Sequence, residues 1–307
     1  MDKFNNEVFE SLVSDLINDT FYTENISIRG KISTVRQYSE VIIRRILDIS
    51  NEDFVTVGDK KIREQIIDKS NNNPILLNAL KNIQKKGNAS THTQNTKDFT
   101  LDDLNSIIDS LFDLYAYLFI DYFEHYEFGK NQNILASFSI LPPIIRYKTL
   151  SYLYDKTPQN ISLIDKFVLS ILKAFNKEKA FEWLDEKKMQ LEKLKVYTAE
   201  AENALQQKLG LKLAKKIINA APENMYIMCY EKVESVTQTI EKNGRLYNNF
   251  EEAKNFYVQK GIVSGDSEEI NLFNSIMEFC YMGRKETKTN YGDINKYTIM
   301  NITNADA

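Results

Sequence analysis

TLDDLNSIIDSLFDLYAYLFIDY, residues 100–122, decides the fold class. Leu101, Leu104, Ile108, Leu111, Tyr115, Leu118 and Tyr122 recur at three- and four-residue intervals, the spacing of one buried helical face. Thr100 stands where an N-cap belongs, and Asp103 three residues on makes an acidic version of the capping box. One long helix is therefore predicted. The apolar run LFDLYAYLFI inside it is too short to span a bilayer and carries an acid.

Immediately upstream lies KKGNASTH, residues 85–92, which holds one of only two histidines. Before it, Pro74 suits the first turn of a helix, and ILLNALKNIQKK places Leu76, Leu77, Leu80 and Ile83 on one side. Gly87 is read as the stop signal of that helix, with Lys85 and Lys86 complementing its negative end and Asn88 tolerating a left-handed backbone. Further upstream, residues 6–18 predict a helix with Phe9, Leu12, Val13, Leu16 and Ile17 inward. KISTVRQYSEVIIRRILDI predicts another, capped by Ser33 or Thr34, with Val35, Tyr38, Ile42 and Ile46 inward. KKIREQIID supplies a short helix between them and Pro74. Residues 1–129 thus read as a bundle of about four helices.

Downstream, Gly129–Asn133 marks a boundary. Pro142 and Pro143 open a helix through IIRYKTLSYLYDK, and SLIDKFVLSILKAF pairs with it after a turn at Pro158. A charged helix over 183–209 follows, ending at Gly210. Helices through NMYIMCYEKVESVTQTI, FEEAKNFYVQK and NLFNSIMEFCYM complete a third module. The tail from Arg284 reads as polar and loosely held, with strand-like alternation only at KYTIMNI. The expected architecture is all-α with three parts: 1–129, 130–210 and 211–307. The scarcity of Gly (10) and Pro (5), the residues that strand turns consume, points the same way.

Composition narrows the chemistry. Lys and Arg number 39 against 43 Asp and Glu, a net charge of −4, so no global basic field draws the chain to nucleic acid or an anionic membrane; a local basic patch stays open. The start, MDKFNNEVFESLVSDL, lacks the form of a signal peptide, and two cysteines suit a reducing cytoplasm. A Cys/His zinc centre uses four ligands and would need both His and both Cys of the chain, so it is nearly excluded, whereas carboxylate-based sites stay open. No phosphate loop, dinucleotide fingerprint, zincin helix or nucleophile elbow occurs, and no cofactor is expected. Tyr226, Tyr230, Phe256, Tyr257, Phe273, Phe279 and Tyr281 fall within predicted helices and read as core or interface.

The order Arg36, Glu40, Gly87-Asn88, His92, in RQYSEVIIRRIL and LKNIQKKGNASTH, resembles the HEPN-type helical domain over about residues 1–128. The branch it looks like is found at the N-terminus of type I restriction-enzyme motor subunits and in bacterial conflict proteins. The resemblance implies an anti-phage or conflict setting, a homodimer, and a site built from Arg36, Glu40, Lys85, Lys86, Asn88 and His92. Nuclease members use an Arg and a His with four to six residues between them to cut RNA without metal. Here Lys85, Lys86 and Gly87 occupy those positions, and a lysine supplies a point charge where an arginine supplies a fork. His92 then has three readings. It ties down its loop by bonding a helix end or Glu40; it binds RNA, DNA or a nucleotide with Lys85, Lys86 and Asn88; or it acts as the base of a ribonuclease, with Lys86 or Arg36 steadying the phosphate. His125 reads as a packing residue. A third function, assembly with a companion protein encoded nearby through the C-terminal helices, also stays open. Residues 147–184 are similar to a single tetratricopeptide-type helical pair, read here as a hairpin packed on its neighbours.

Overall fold

The structure is a computed structural model that describes residues 4–291; KYTIMNI lies outside the described residues. Among them are fourteen α-helices and no strand, so the chain is all-α. It divides into two compact units. The first joins residues 4–130 to Asn249–Thr289, and the second holds Asn131–Asn248 together with Asn290 and Tyr291. The division falls after residue 130, and residues 211–248 and 249–289 belong to different units. Residues 249–289 rejoin the first unit because their aromatic side chains complete its core.

That first unit contains α1 (Asn6–Ile17), α2 (Ile28–Leu47), α3 (Lys60–Lys69), α4 (Pro74–Thr91), α5 (Leu101–His125), α13 (Phe250–Phe256) and α14 (Glu268–Tyr281). α5 sits at its centre, packed on α2, α4 and α14. Thr100 and Asp103 form the capping box, and Leu114 through Ile120 are buried without a break. A helix buried all round needs partners on several sides. α14 supplies one of them: Phe273 lies 6.2 Å from Phe119 and 5.5 Å from Tyr122, ring to ring, and Phe279 lies 6.1 Å from Tyr115. Burying such side chains contributes about 1.5–3 kcal/mol each. Leu101, by contrast, is exposed and Ile108 only half-buried, while the neighbouring Ile107 is buried.

Several local expectations need correction. α2 starts at Ile28 with Ser27 as N-cap, not at Ser33 or Thr34, whose hydroxyls bond back to the carbonyls of Arg29 and Gly30 inside the helix. Leu12 on α1 is exposed. Gly87 does not stop α4, which runs on to Thr91 with His92 as C-cap. Its role is close approach: a Cβ there would stand 2.6 Å from Cδ of Arg36 and 3.1 Å from its Cβ. The chain just after α14, expected to begin a loosely held tail, is packed down, while residues 285–290 are mostly exposed. Gly283 takes φ +70°, donates its N–H to Glu10, and lies so near α1 that a Cβ would meet the backbone N of Ser14 at 2.6 Å. Arg284 and Tyr291 are buried.

The second unit is built on α6 (Gln132–Phe138), α7 (Pro143–Lys156), α8 (Ile161–Ala174), α9 (Lys177–Leu191) and α12 (Met225–Asn243). α7 and α8 form the expected hairpin, and α9 and α12 both pack on α8. Tyr154, Phe167 and Trp183 knit α7, α8 and α9 together at ring separations of 5.1–5.6 Å. The charged helix expected over 183–209 is instead two helices, α9 and α10 (Ala199–Leu209), parted by residues 192–198. Gly210 at φ +79° then turns the chain into α11 (Leu211–Ala220). α10 buries no side chain and α11 only Ala214, so this pair is held mainly by its own contacts. Among the described residues no helix is long and apolar enough to cross a membrane.

Candidate functional site

α4 carries most of the residues in question, and helical geometry sorts them by direction. Successive side chains turn by about 100°, so Lys85, Lys86 and Gly87 cannot share one face. Lys86 points to α5, where its Nζ meets Asp103 Oδ1 at 2.5 Å. Asn82, one turn earlier, bonds Ser106 and Ser110 on the same side. Gly87 and Thr91 point to α2. There Arg36 lies along Gly87 and donates to Thr91 Oγ1 and Thr56 Oγ1, both at 3.3 Å, with Glu40 Oε1 3.7 Å from its Nε. Lys85 and Asn88 remain on the outer side, Lys85 exposed and Asn88 half-buried, with His92 exposed at the helix end. Lys81, exposed one turn before Lys85, extends the same stripe; Lys81, Lys85 and Asn88 lie within about 60° around the axis.

The six residues therefore do not converge. Lys86 is matched by Asp103, and that pairing is strong enough to show in the acid. The Lys86 ammonium first, and the Thr100 N–H after it, hold the Asp103 carboxyl down to about 2. Glu40 accepts from Thr56 Oγ1 at 3.0 Å and from the Val57 N–H at 3.2 Å, pinning residues 56–57 to α2. It is not a partner of His92. The His92 imidazole makes no hydrogen bond, ion pair or ring contact among the described residues, while its backbone N–H caps the helix on the Asn88 carbonyl at 3.1 Å.

Tying down the loop falls to Arg29, which sequence reasoning passed over. Its guanidinium donates to the carbonyls of Ala89, Ser90, Asn95 and Lys97 at 2.8–3.3 Å and lies over the Phe99 ring at 4.9 Å. An α-helix ends in carbonyls without intrahelical donors, so a cation there both bonds them and answers the negative helix end. The signal available in sequence was a helix end with no left-handed glycine behind it, which must find donors elsewhere. His125 is exposed at the far end of α5, its Nδ1 2.7 Å from the Asp121 carbonyl. It lies about 33 Å along the helix axis from Asp103 at 1.5 Å per residue, so it cannot join His92.

Among the described residues no group of three His, Cys, Asp or Glu side chains could hold a metal ion. Cys229 and Cys280 are buried, and burial raises both thiols above their usual range, which makes them packing groups rather than nucleophiles. Chemically, the outer face of α4 offers two ammonium groups without a partner among the described residues, an amide and an imidazole along one line. That arrangement can contact an anion by charge and hydrogen bonding; it lacks the aligned guanidinium of a cleaving centre. Compared with protein-family models, curated proteins and solved structures, the chain matches none.

Proposed function

We propose that the first unit is a HEPN-like recognition module of a bacterial conflict system, and that it binds RNA or DNA phosphates through the outer face of α4. One observation carries this reading: among the described residues, the side chains of Lys81, Lys85, Asn88 and His92 have no partner and lie along one accessible face, whereas Arg36 and Lys86 are matched inside the bundle. Unmatched cations in a row suit a phosphate backbone, since each neutralised phosphate releases counterions.

Fluorescence anisotropy of a labelled single-stranded RNA, with a DNA of the same sequence beside it, tests the proposal. Affinity should fall steeply with salt, and Lys81→Ala/Lys85→Ala should weaken binding about tenfold or more and lower the salt slope by about 2. Absent binding, or binding untouched by that double variant, defeats it. The ribonuclease alternative has less support because Arg36 and Lys86 are occupied by Thr91, Thr56, Glu40 and Asp103. It is separated in the same samples: cleavage in EDTA that disappears in His92→Ala would establish it over simple binding.

A further inference from the structure

Taking a guanidinium out of water is expensive unless an acid or several acceptors replace the solvent. Arg146 on α7 has lost most of that solvent and gained neither. It is 5% exposed, its Nε has no partner, and no hydrogen bond or ion pair reaches its guanidinium among the described residues. Lys166, half-buried on the adjoining α8, has no ion-pair partner among them either. The charges that act on Lys166 are Arg146 from α7, Asp165 and Lys173 from α8, and Lys232 from α12. Asp165, the acid of this group, is already held by Lys232 at 2.5 Å, with both side chains about 15% exposed. It is thus committed elsewhere. Burial pulls the Lys166 ammonium down to about 8; Asp165 opposes this, and Lys232, Lys173 and Arg146 reinforce it.

We propose that Arg146 and Lys166 form an oxyanion site on the α7–α8 hairpin that takes a phosphate- or sulfate-type group, free or as the end of a nucleotide. A planar guanidinium grips two oxygens of such a group side by side, and an ammonium supplies a point charge to a third. Two unmatched cations call for a dianion; a carboxylate would leave one charge over. The anion approaches from the side of Lys166, the more accessible of the two. This site belongs to the second unit and stands independently of the α4 surface.

Thermal unfolding of the full chain at pH 7 tests it, in chloride and in inorganic phosphate at matched ionic strength, with a mononucleotide as a third arm. Saturating phosphate should raise the melting temperature by about 5 °C. A larger shift with the nucleotide assigns the group to a nucleotide, and a shift with phosphate alone assigns it to the free ion. Arg146→Met should lose the phosphate shift. Lys166→Met, at a more accessible position, should unfold in chloride like the parent yet bind phosphate at least tenfold more weakly by calorimetry. Sulfate, whose charge does not change, should bind more weakly as pH rises through about 8 and Lys166 gives up its proton. Equal unfolding of the parent in phosphate and chloride overturns the proposal, as does a phosphate shift that survives in both variants.

Discussion

Each unit buries an arginine to the same depth, and their surroundings differ. Arg284, in the first unit, is 5% exposed; its Nη1 lies 3.4 Å from Glu251 Oε1, and its guanidinium sits 4.0 Å above the Phe250 ring and 5.2 Å from that of Phe21. Glu251 also accepts from the Tyr22 hydroxyl, which burial first and this carboxylate second push up to about 12. Arg146, in the second unit, is equally buried; Nε is without a partner in both, but among the described residues no acid or ring meets the Arg146 guanidinium. A matched buried cation is architecture, because removing it strands its partner. An unmatched one is a cost that the bare fold carries, and a ligand is what would relieve it. The same distinction separates Arg29, Arg36 and Lys86, which hold the first bundle together, from Lys81 and Lys85, which face outward.

Breaking the matched pair should have the largest effect. Arg284→Met leaves Glu251 buried without its cation, and urea unfolding should record a loss of about 3–5 kcal/mol. Gly87→Ala probes the tight α2–α4 approach that positions Arg36. The gain of about 0.8–1 kcal/mol from helix propensity is outweighed by an overpacking cost of about 1–3 kcal/mol, for a net loss near 1 kcal/mol. Asp103→Asn should do less, about 0.5 kcal/mol, because the Lys86 pair is partly open to solvent. Its pH dependence has a definite sign. Asp103 titrates lower in the folded chain than unfolded, so its contribution is present above about pH 4 and fades as pH falls toward 2. Acid unfolding of the variant should be flatter across that window. The smallest effect belongs to Lys81→Ala/Lys85→Ala, which should leave stability within about 0.5 kcal/mol while weakening nucleic-acid binding. A stability loss comparable to that of Arg284→Met would place these lysines with the matched group.

Much of this fold was legible in the sequence because helix signals are local. Thr100 with Asp103, Pro74 and Pro143 mark their helix starts, and the spacing of Val35, Tyr38, Ile42 and Ile46 marks a buried face. What escaped is non-local. A glycine that ends a helix and one that admits a neighbouring side chain look alike in sequence, so Gly87 read as a stop although Arg36 fills the space beside it. Likewise, α14 shows its own periodicity but not that Phe273 and Phe279 pack on α5. Arg284 looked like the start of a polar tail because Phe250 and Glu251, which receive it, lie more than thirty residues earlier. Of the candidate site, the helix was legible and the facing was not fully used. Adjacent positions on a helix diverge by about 100°, which already sets Lys85 apart from Lys86. Where Lys86 goes depends on Asp103, and that is settled only by packing.

The contrast between the two arginines is tested most directly by urea unfolding of Arg284→Met and Arg146→Met side by side in phosphate-free chloride buffer. The two midpoints should part, falling for Arg284→Met and staying level or rising for Arg146→Met. A loss for Arg146→Met as large as that for Arg284→Met would contradict the account and make Arg146 a structural residue like its counterpart.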